Sequence, residues 1–144
     1  MKAIKVARVP APTVPAETMI KDAIPNMKID SGCSLGVVEE GRLVGTLSKD
    51  DILQRVVGGG LDPATTPVRD VMTQPPLSVD VSTEMEDALK LMTANRQCFM
   101  PVTGAEGSVE GWLAVCHLLE ENVEMLSDQL DTFAAMLGAD GPGG

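Results

Sequence analysis

Apolar positions follow one pattern that occurs twice along the chain. Met19, Ile20, Ala23, Ile24 and Met27 recur at helical spacing and make one apolar face. Pro25 lies inside that face, so it ends or kinks the helix. Leu35 to Val38 is a short apolar run, and Leu43 to Leu47 is a second. The four residues between them, Glu39-Glu40-Gly41-Arg42, have the composition of a hairpin turn. Ile52, Leu53, Val56 and Val57 then form a second helix face, which Gly58-Gly59-Gly60 stops. This unit reads helix, strand, strand, helix.

The same order returns downstream. Met85, Ala88, Leu89 and Met92 line a helix, with Ser82 or Thr83 expected as its N-cap. Phe99 to Thr103 and Gly111 to Val115 read as strands around the loop Gly104-Ala105-Glu106-Gly107, and a helix is expected from about His117. A shift of 65 positions lays Thr13-Val14 on Ser78-Val79, Asp22-Ala23-Ile24 on Asp87-Ala88-Leu89, Met27 on Met92, Cys33 on Cys98 and Val37 on Val102. With one inserted residue, Gly45 meets Gly111 and Ile52-Leu53 meets Leu118-Leu119. Each copy has a small sheet whose open face needs a cover, and the other copy is the natural one. The expected division is a first repeat over 1–60, a connector over 61–75, a second repeat over 76–122 and a C-terminal helical extension with a glycine-rich tail over 123–144.

The last helix runs on through Leu119, Val123, Leu126, Leu130, Phe133 and Leu137, steps that alternate between four and three residues as in a heptad seam. Gly138 and the tail Gly141-Pro142-Gly143-Gly144 are expected to end it. Two readings stand: an amphipathic helix folded onto its own domain, or an intermolecular coiled coil.

Composition narrows the function classes. At 144 residues the chain has the length of one domain, enough to bury about 70% of its unfolded surface. Its formal charge is −10 and its cations are scattered singly, which argues against duplex nucleic acid and anionic membranes as partners. Two Phe, one Trp and no Tyr are too few for a base-stacking platform. A single histidine leaves little material for acid–base catalysis, so no enzyme activity is expected. Acidic pairs such as Glu39-Glu40 and Glu120-Glu121 read as solvated charge. Cys33, Cys98 and Cys116 are an odd number and suit a reduced, cytoplasmic compartment. No Cys-x-x-Cys occurs, so these cysteines, including Cys116 beside His117, are expected as small buried hydrophobes rather than zinc ligands. The nine Met residues read as core filler.

Val68-Arg69-Asp70-Val71-Met72-Thr73, then Pro76-Leu77-Ser78-Val79, an amphipathic helix and Met100-Pro101-Val102 together resemble a CBS domain, the module named after cystathionine β-synthase. Leu43-Val44-Gly45-Thr46-Leu47-Ser48-Lys49-Asp50-Asp51-Ile52-Leu53 resembles the matching part of another. The resemblance covers roughly residues 4 to 122. It implies an α+β fold in which two helix-strand-strand-helix repeats, each with an added N-terminal strand, pack about a pseudo-twofold axis. It also implies clefts between the repeats that take AMP, ADP, ATP or S-adenosylmethionine as regulatory ligand, with no required cofactor. A homodimer that regulates a partner protein is implied as well; the alternative is a ligand-free dimerisation or interaction scaffold.

The family's ribose motif corresponds here to Gly45, Ser48 and Asp51, with Lys49 placed for phosphate. An ionised carboxylate can accept charge-assisted hydrogen bonds from vicinal hydroxyls. Ser48 to Asp51 also has the form of a capping box, which needs no ligand. The resemblance puts Thr73, Pro76, Leu77 and Ser78 along the adenine edge, and Phe99, Met100 and Pro101 in the wall of the same cleft. Arg96 is the phosphate candidate there, or else a cation stabilising the end of the preceding helix. The mirror cleft departs from the pattern, because Gly111, Ala114 and His117 stand at the motif positions and Gly36 replaces Pro101. At most one well-formed ribose site per chain is therefore expected.

Overall fold

The computed structural model describes residues 1–140. In the first half, β1 (Thr13–Pro15) leads into α1 (Ile20–Ala23), then β2 (Ser34–Glu39), β3 (Arg42–Ser48) and α2 (Lys49–Asp51). In the second, β4 (Val79–Asp80) leads into α3 (Met85–Ala94), then β5 (Phe99–Thr103), β6 (Val109–Ala114) and α4 (Val115–Asp140). Each half holds a three-stranded sheet, in order β1-β2-β3 and β4-β5-β6. In both, the first pair is parallel and the second antiparallel. Both antiparallel pairs shift register at the same place, Val37/Val38 in one and Val102/Thr103 in the other. The α+β fold with two pseudo-symmetric repeats and a C-terminal helix is as expected.

Local chemistry accounts for the elements. Pro25 sits in a 3₁₀ turn (Ile24–Asn26) that ends α1 after four residues. Glu40 and Gly41 both have positive φ, as a two-residue hairpin loop requires, and they join β2 to β3. Ser48 caps α2, which widens into a π-helical turn over Ile52–Val57 before the three glycines. One core gathers Ile20, Leu35, Val37 and Leu47; the other gathers Met92, Met100, Leu113 and Leu118.

Several expected boundaries move. Glu84, not Ser82 or Thr83, is the N-cap of α3, because the Ser82 N–H and both hydroxyls bond Asp80 Oδ1 and close a turn upstream. β6 begins at Val109, which pairs with Thr103, and ends at Ala114. α4 starts at Val115, two residues before His117, as the Val115 N–H turns to bond the Cys98 carbonyl at 2.8 Å. The Lys49 N–H makes the matching bond to the Cys33 carbonyl at 3.1 Å. α4 passes through Gly138, so that glycine does not end it, and the expected stop at Gly141–Gly144 lies outside the described residues. Nor does α4 fold back: Leu119, Val123, Leu126, Leu130, Phe133 and Leu137 are all exposed. Among the described residues, no helix is long and apolar enough to cross a membrane.

Each repeat also lends its leading segment to the other. Ala3, Ile4, Val6 and Ala7 pack in the second core, and Arg8 pairs with Trp112 of β6 through bonds of 2.9 and 3.0 Å. Val68, Val71 and Met72 pack in the first core, and Thr73 pairs with Thr46 of β3 in the same way. Arg69 fastens this exchange by bonding Glu17 and Glu39, and its guanidinium holds the Glu39 carboxyl below the usual carboxylate range. The two leading segments, around Ala3 and around Val68, are thus equivalent parts of the two repeats.

Candidate functional site

Crossing the leading segments brings the start of one repeat against the strand-to-helix turn of the other. Between the halves lies a cavity of about 510 Å³. Ser48, Lys49, Asp51, Thr73, Leu77, Arg96, Phe99 and Pro101 line it, so eight of the twelve expected residues meet there. The other four do not. Met100 is fully buried in the second core, because alternation along β5 sends Phe99 and Pro101 to the cleft and Met100 to the opposite face. Pro76 and Ser78 sit just off the cavity, where Pro75 and Leu77 face it instead. Gly45 supports the cavity from behind. A Cβ there would lie 2.6 Å from Met72 Sδ and 3.0 Å from the Thr73 carbonyl, so glycine lets the connector approach β3.

The strand-to-helix turn is a complete capping box. Asp51 Oδ2 accepts the Ser48 N–H at 2.9 Å and the Ser48 hydroxyl at 3.2 Å, while Ser48 Oγ accepts the Asp51 N–H at 3.3 Å. The Thr73 hydroxyl donates to Asp51 Oδ1 at 2.9 Å, tying the connector to the turn. Arg55 Nη1 donates to the Val71 and Met72 carbonyls at 3.0 and 2.9 Å and holds the connector in place. The Asp51 side chain keeps 9% exposure, on the cavity. A carboxylate has about four lone-pair positions, three of which are used here. One hydroxyl can therefore join directly, and a diol spanning both oxygens displaces a hydroxyl of Ser48 or Thr73. Capping and ligand readings of this turn are compatible.

Sequence reasoning missed Gly32, Ser34, Thr46, Asp50, Pro75, Gln97, Cys98 and Trp112, which also line the cavity. Pro75 was findable from its counterpart Pro10 at the repeat spacing. Trp112 was findable as the twin of Thr46 once the inserted residue is counted. Trp112 is 2% exposed and its Nε1 has no hydrogen-bond partner. It is also the single Trp of the chain, so its fluorescence reports on the cavity. The expectation of buried cysteines is corrected: Cys98, just before β5, and Cys116, in the first turn of α4, are exposed, and Cys33 is half-buried. Among the described residues no group of three or more His, Cys, Asp and Glu is placed to hold a metal ion.

Charge at the cavity is mixed. Lys49 and Arg96 are in none of the ion pairs among the described residues, so both cations are free to meet an anion. Arg96 sits at positive φ (53°) just past the end of α3, where its N–H bonds the Thr93 carbonyl at 3.2 Å and the Gln97 N–H bonds the Met92 carbonyl at 2.9 Å, so it closes the helix C-terminus and lines the cavity as well. Gly32, at φ +71°, lies under the Phe99 ring: a Cβ there would be 2.1 Å from Phe99 Cε2. Gly32→Ala is expected to cost about 1–3 kcal/mol through backbone strain and ring displacement. Urea denaturation gives the stability, and Trp112 emission the change in the cavity.

The mirror cavity, of about 320 Å³, is lined by Arg8, Pro10, Thr13, Lys28 and Asp30 among others. Arg8 takes the place that Thr73 holds in the first cavity and pairs with Asp30 at 2.9 Å across it. Ala114 offers no hydroxyl at the N-terminus of α4, and neither it nor His117 lines this cavity.

Comparisons with known proteins agree with this geometry. The CBS domain family model matches residues 3–58 and 68–124. An Arabidopsis thaliana CBS domain-containing protein, CBSCBSPB1, is 36% identical over 104 residues, which is 72% of this chain and 19% of that protein. The chain thus spans about a fifth of the length of this relative. The solved CBS domain protein TA0289 of Thermoplasma acidophilum superposes with a TM-score of 0.73 at 26% identity, covering 83% of this chain and 68% of that one. CBSX2 of Arabidopsis thaliana, solved in complex with AMP, superposes with a TM-score of 0.71 at 24% identity, covering 86% and 97%. Two matched domains, two interleaved sheets and a cleft between them make this chain a member of the CBS domain family, carrying a tandem CBS pair.

Proposed function

We propose that the chain is a regulatory, ligand-sensing module that binds an adenine nucleotide in the 510 Å³ cavity between its repeats and passes the signal to a partner protein. One observation carries this reading: carboxylate, aromatic wall and free cations share one cavity built from both repeats. Asp51 and Ser48 are offered to the ribose, and Phe99, Leu77, Pro101 and Trp112 supply apolar surface for the base. Gln97 adds an amide that can both donate and accept. Lys49 and Arg96 face the phosphates. The AMP complex of CBSX2 supports the same ligand class.

On this reading the module is a binding site rather than an enzyme, and the Ser48–Asp51 pair serves the capping box and the ligand. S-adenosylmethionine is a second adenosine-containing candidate, and no cofactor is required. The pair works in the cytoplasm as a homodimer. A second reading, a ligand-free interaction scaffold, is favoured by the ion pair that crosses the mirror cavity and by the exposed face of α4.

Titration calorimetry with AMP, ADP, ATP and S-adenosylmethionine separates the two. Heat and a change in Trp112 emission with at least one of them support the nucleotide reading. Absence of heat and of any thermal shift at millimolar ligand overturns it in favour of the scaffold. Arg96→Ala is expected to weaken the preferred nucleotide about tenfold, as loss of a hydrogen bond to a charged group does, while leaving adenosine binding unchanged. Equal loss for both, read in the same titrations, contradicts a phosphate role.

A further inference from the structure

The strongest unexplained surface is the apolar seam of α4. Leu119, Val123, Leu126, Leu130, Phe133 and Leu137 are between 46% and 67% exposed, although each is a large hydrophobe. They recur at heptad spacing along about 27 Å of helix. Exposed apolar runs of this kind mark surfaces that are covered in the working assembly.

Charge placement identifies the cover. From Val115 to Asp140 the sequence contains no Lys and no Arg. Glu121, Glu124, Asp128 and Asp131 occupy the heptad positions on the side of α4 away from the seam. The positions that flank the seam are Glu120, Asn122, Ser127, Gln129, Ala134 and Met136, with Glu120 the one charged residue among them. In a parallel pair, Asn122 meets Ser127 and Gln129 meets Ala134, so no acid faces another acid. A basic partner helix would find its cations beside neutral flanks and out of reach of the acidic side. An anionic lipid surface would meet a helix without a single cation. Only a partner with a neutral-flanked seam of its own is matched, and a second copy supplies one.

We infer that this seam is the contact through which two copies of the chain associate, helix against helix, outside both repeat cores. The inference rests on the homodimer named above and is independent of the nucleotide. Because the seam is shorter than three heptads, association depends on concentration rather than being permanent.

Sedimentation analysis across concentrations tests it with the full chain and with Leu126→Glu/Leu130→Glu. Both substituted residues are more than half exposed, so the variant retains its cores; a thermal melt checks this. The expected result is a dimer for the parent chain and a monomer for the variant, with equal melts at low concentration. A parent that stays monomeric at all concentrations overturns both the homodimer and the seam. A dimer that persists in the variant overturns the seam alone and places the contact on the repeats. Should the parent remain monomeric and bind anionic vesicles in a way the variant does not, the seam is a membrane face and the inference is wrong.

Discussion

Asp51→Ala is expected to weaken adenine-nucleotide binding about 10- to 100-fold, the loss typical of hydrogen bonds to a buried charge. The carboxylate lines the cavity at the strand-to-helix turn, where it can take one ribose hydroxyl directly and the second by displacing a hydroxyl of Ser48 or Thr73. The same change removes an acceptor from the Ser48 N–H and from the Thr73 hydroxyl, so stability should drop by about 1–2 kcal/mol. Calorimetry must therefore be run well below the variant's melting point. Ser48→Ala disrupts the cap while keeping the carboxylate, and is expected to lose stability with a smaller loss of affinity. If Asp51→Ala binds as tightly as the parent chain, the turn is a cap and nothing more.

Leu113→Ala is expected to have the largest effect on stability, about 2–5 kcal/mol. Leu113 is completely buried in the second core, on the face of β6 opposite Trp112. Truncation leaves a void that close-packed neighbours cannot refill. Leu130→Ala is the contrast: the same chemical change on exposed helix should stay within about 0.5 kcal/mol for the monomer. Urea denaturation of the two variants, at a concentration below dimer formation, measures the difference. A cost under 1 kcal/mol at Leu113 would show a loosely packed second repeat.

Much of the fold was legible because its signals are periodic. Alternation and helical spacing gave β2, β3, β5, β6 and α3, and Pro25 gave the end of α1; the helix face read over Ile52, Leu53, Val56 and Val57 is a π-helical turn in which Leu53 and Val57 are exposed. The duplication supplied the pairing of the halves. What escaped was structure set by distant partners. Nothing local marks Ala3, Ile4, Val6 and Ala7 as part of the second core, since their neighbours in space are more than 70 residues away in sequence, as in the Ala3 to Thr83 bond. The N-cap of α3 was misread for a related reason. Ser82 and Thr83 have the right hydroxyls, but Asp80 claims them first. At the site, motif positions Ser48 and Asp51 were readable as a short-range unit. Met100 was not excluded, although the period-two pattern of β5 was enough to turn it inward. Gly45 was assigned to the ligand when its role is to leave space for Met72. Gln97 belongs to no local motif and comes into view only when the two repeats close on each other.

The crossed leading segments also bear on how such a molecule can be divided. Cutting after Gly60 would strand Val68, Val71 and Met72 on the wrong fragment, while the downstream fragment would lose the residues around Ala3 that seal its interior. Neither piece is a self-sufficient body. The two repeats form a mutual clasp, and whatever shifts it at Thr73 is felt on both sides at once.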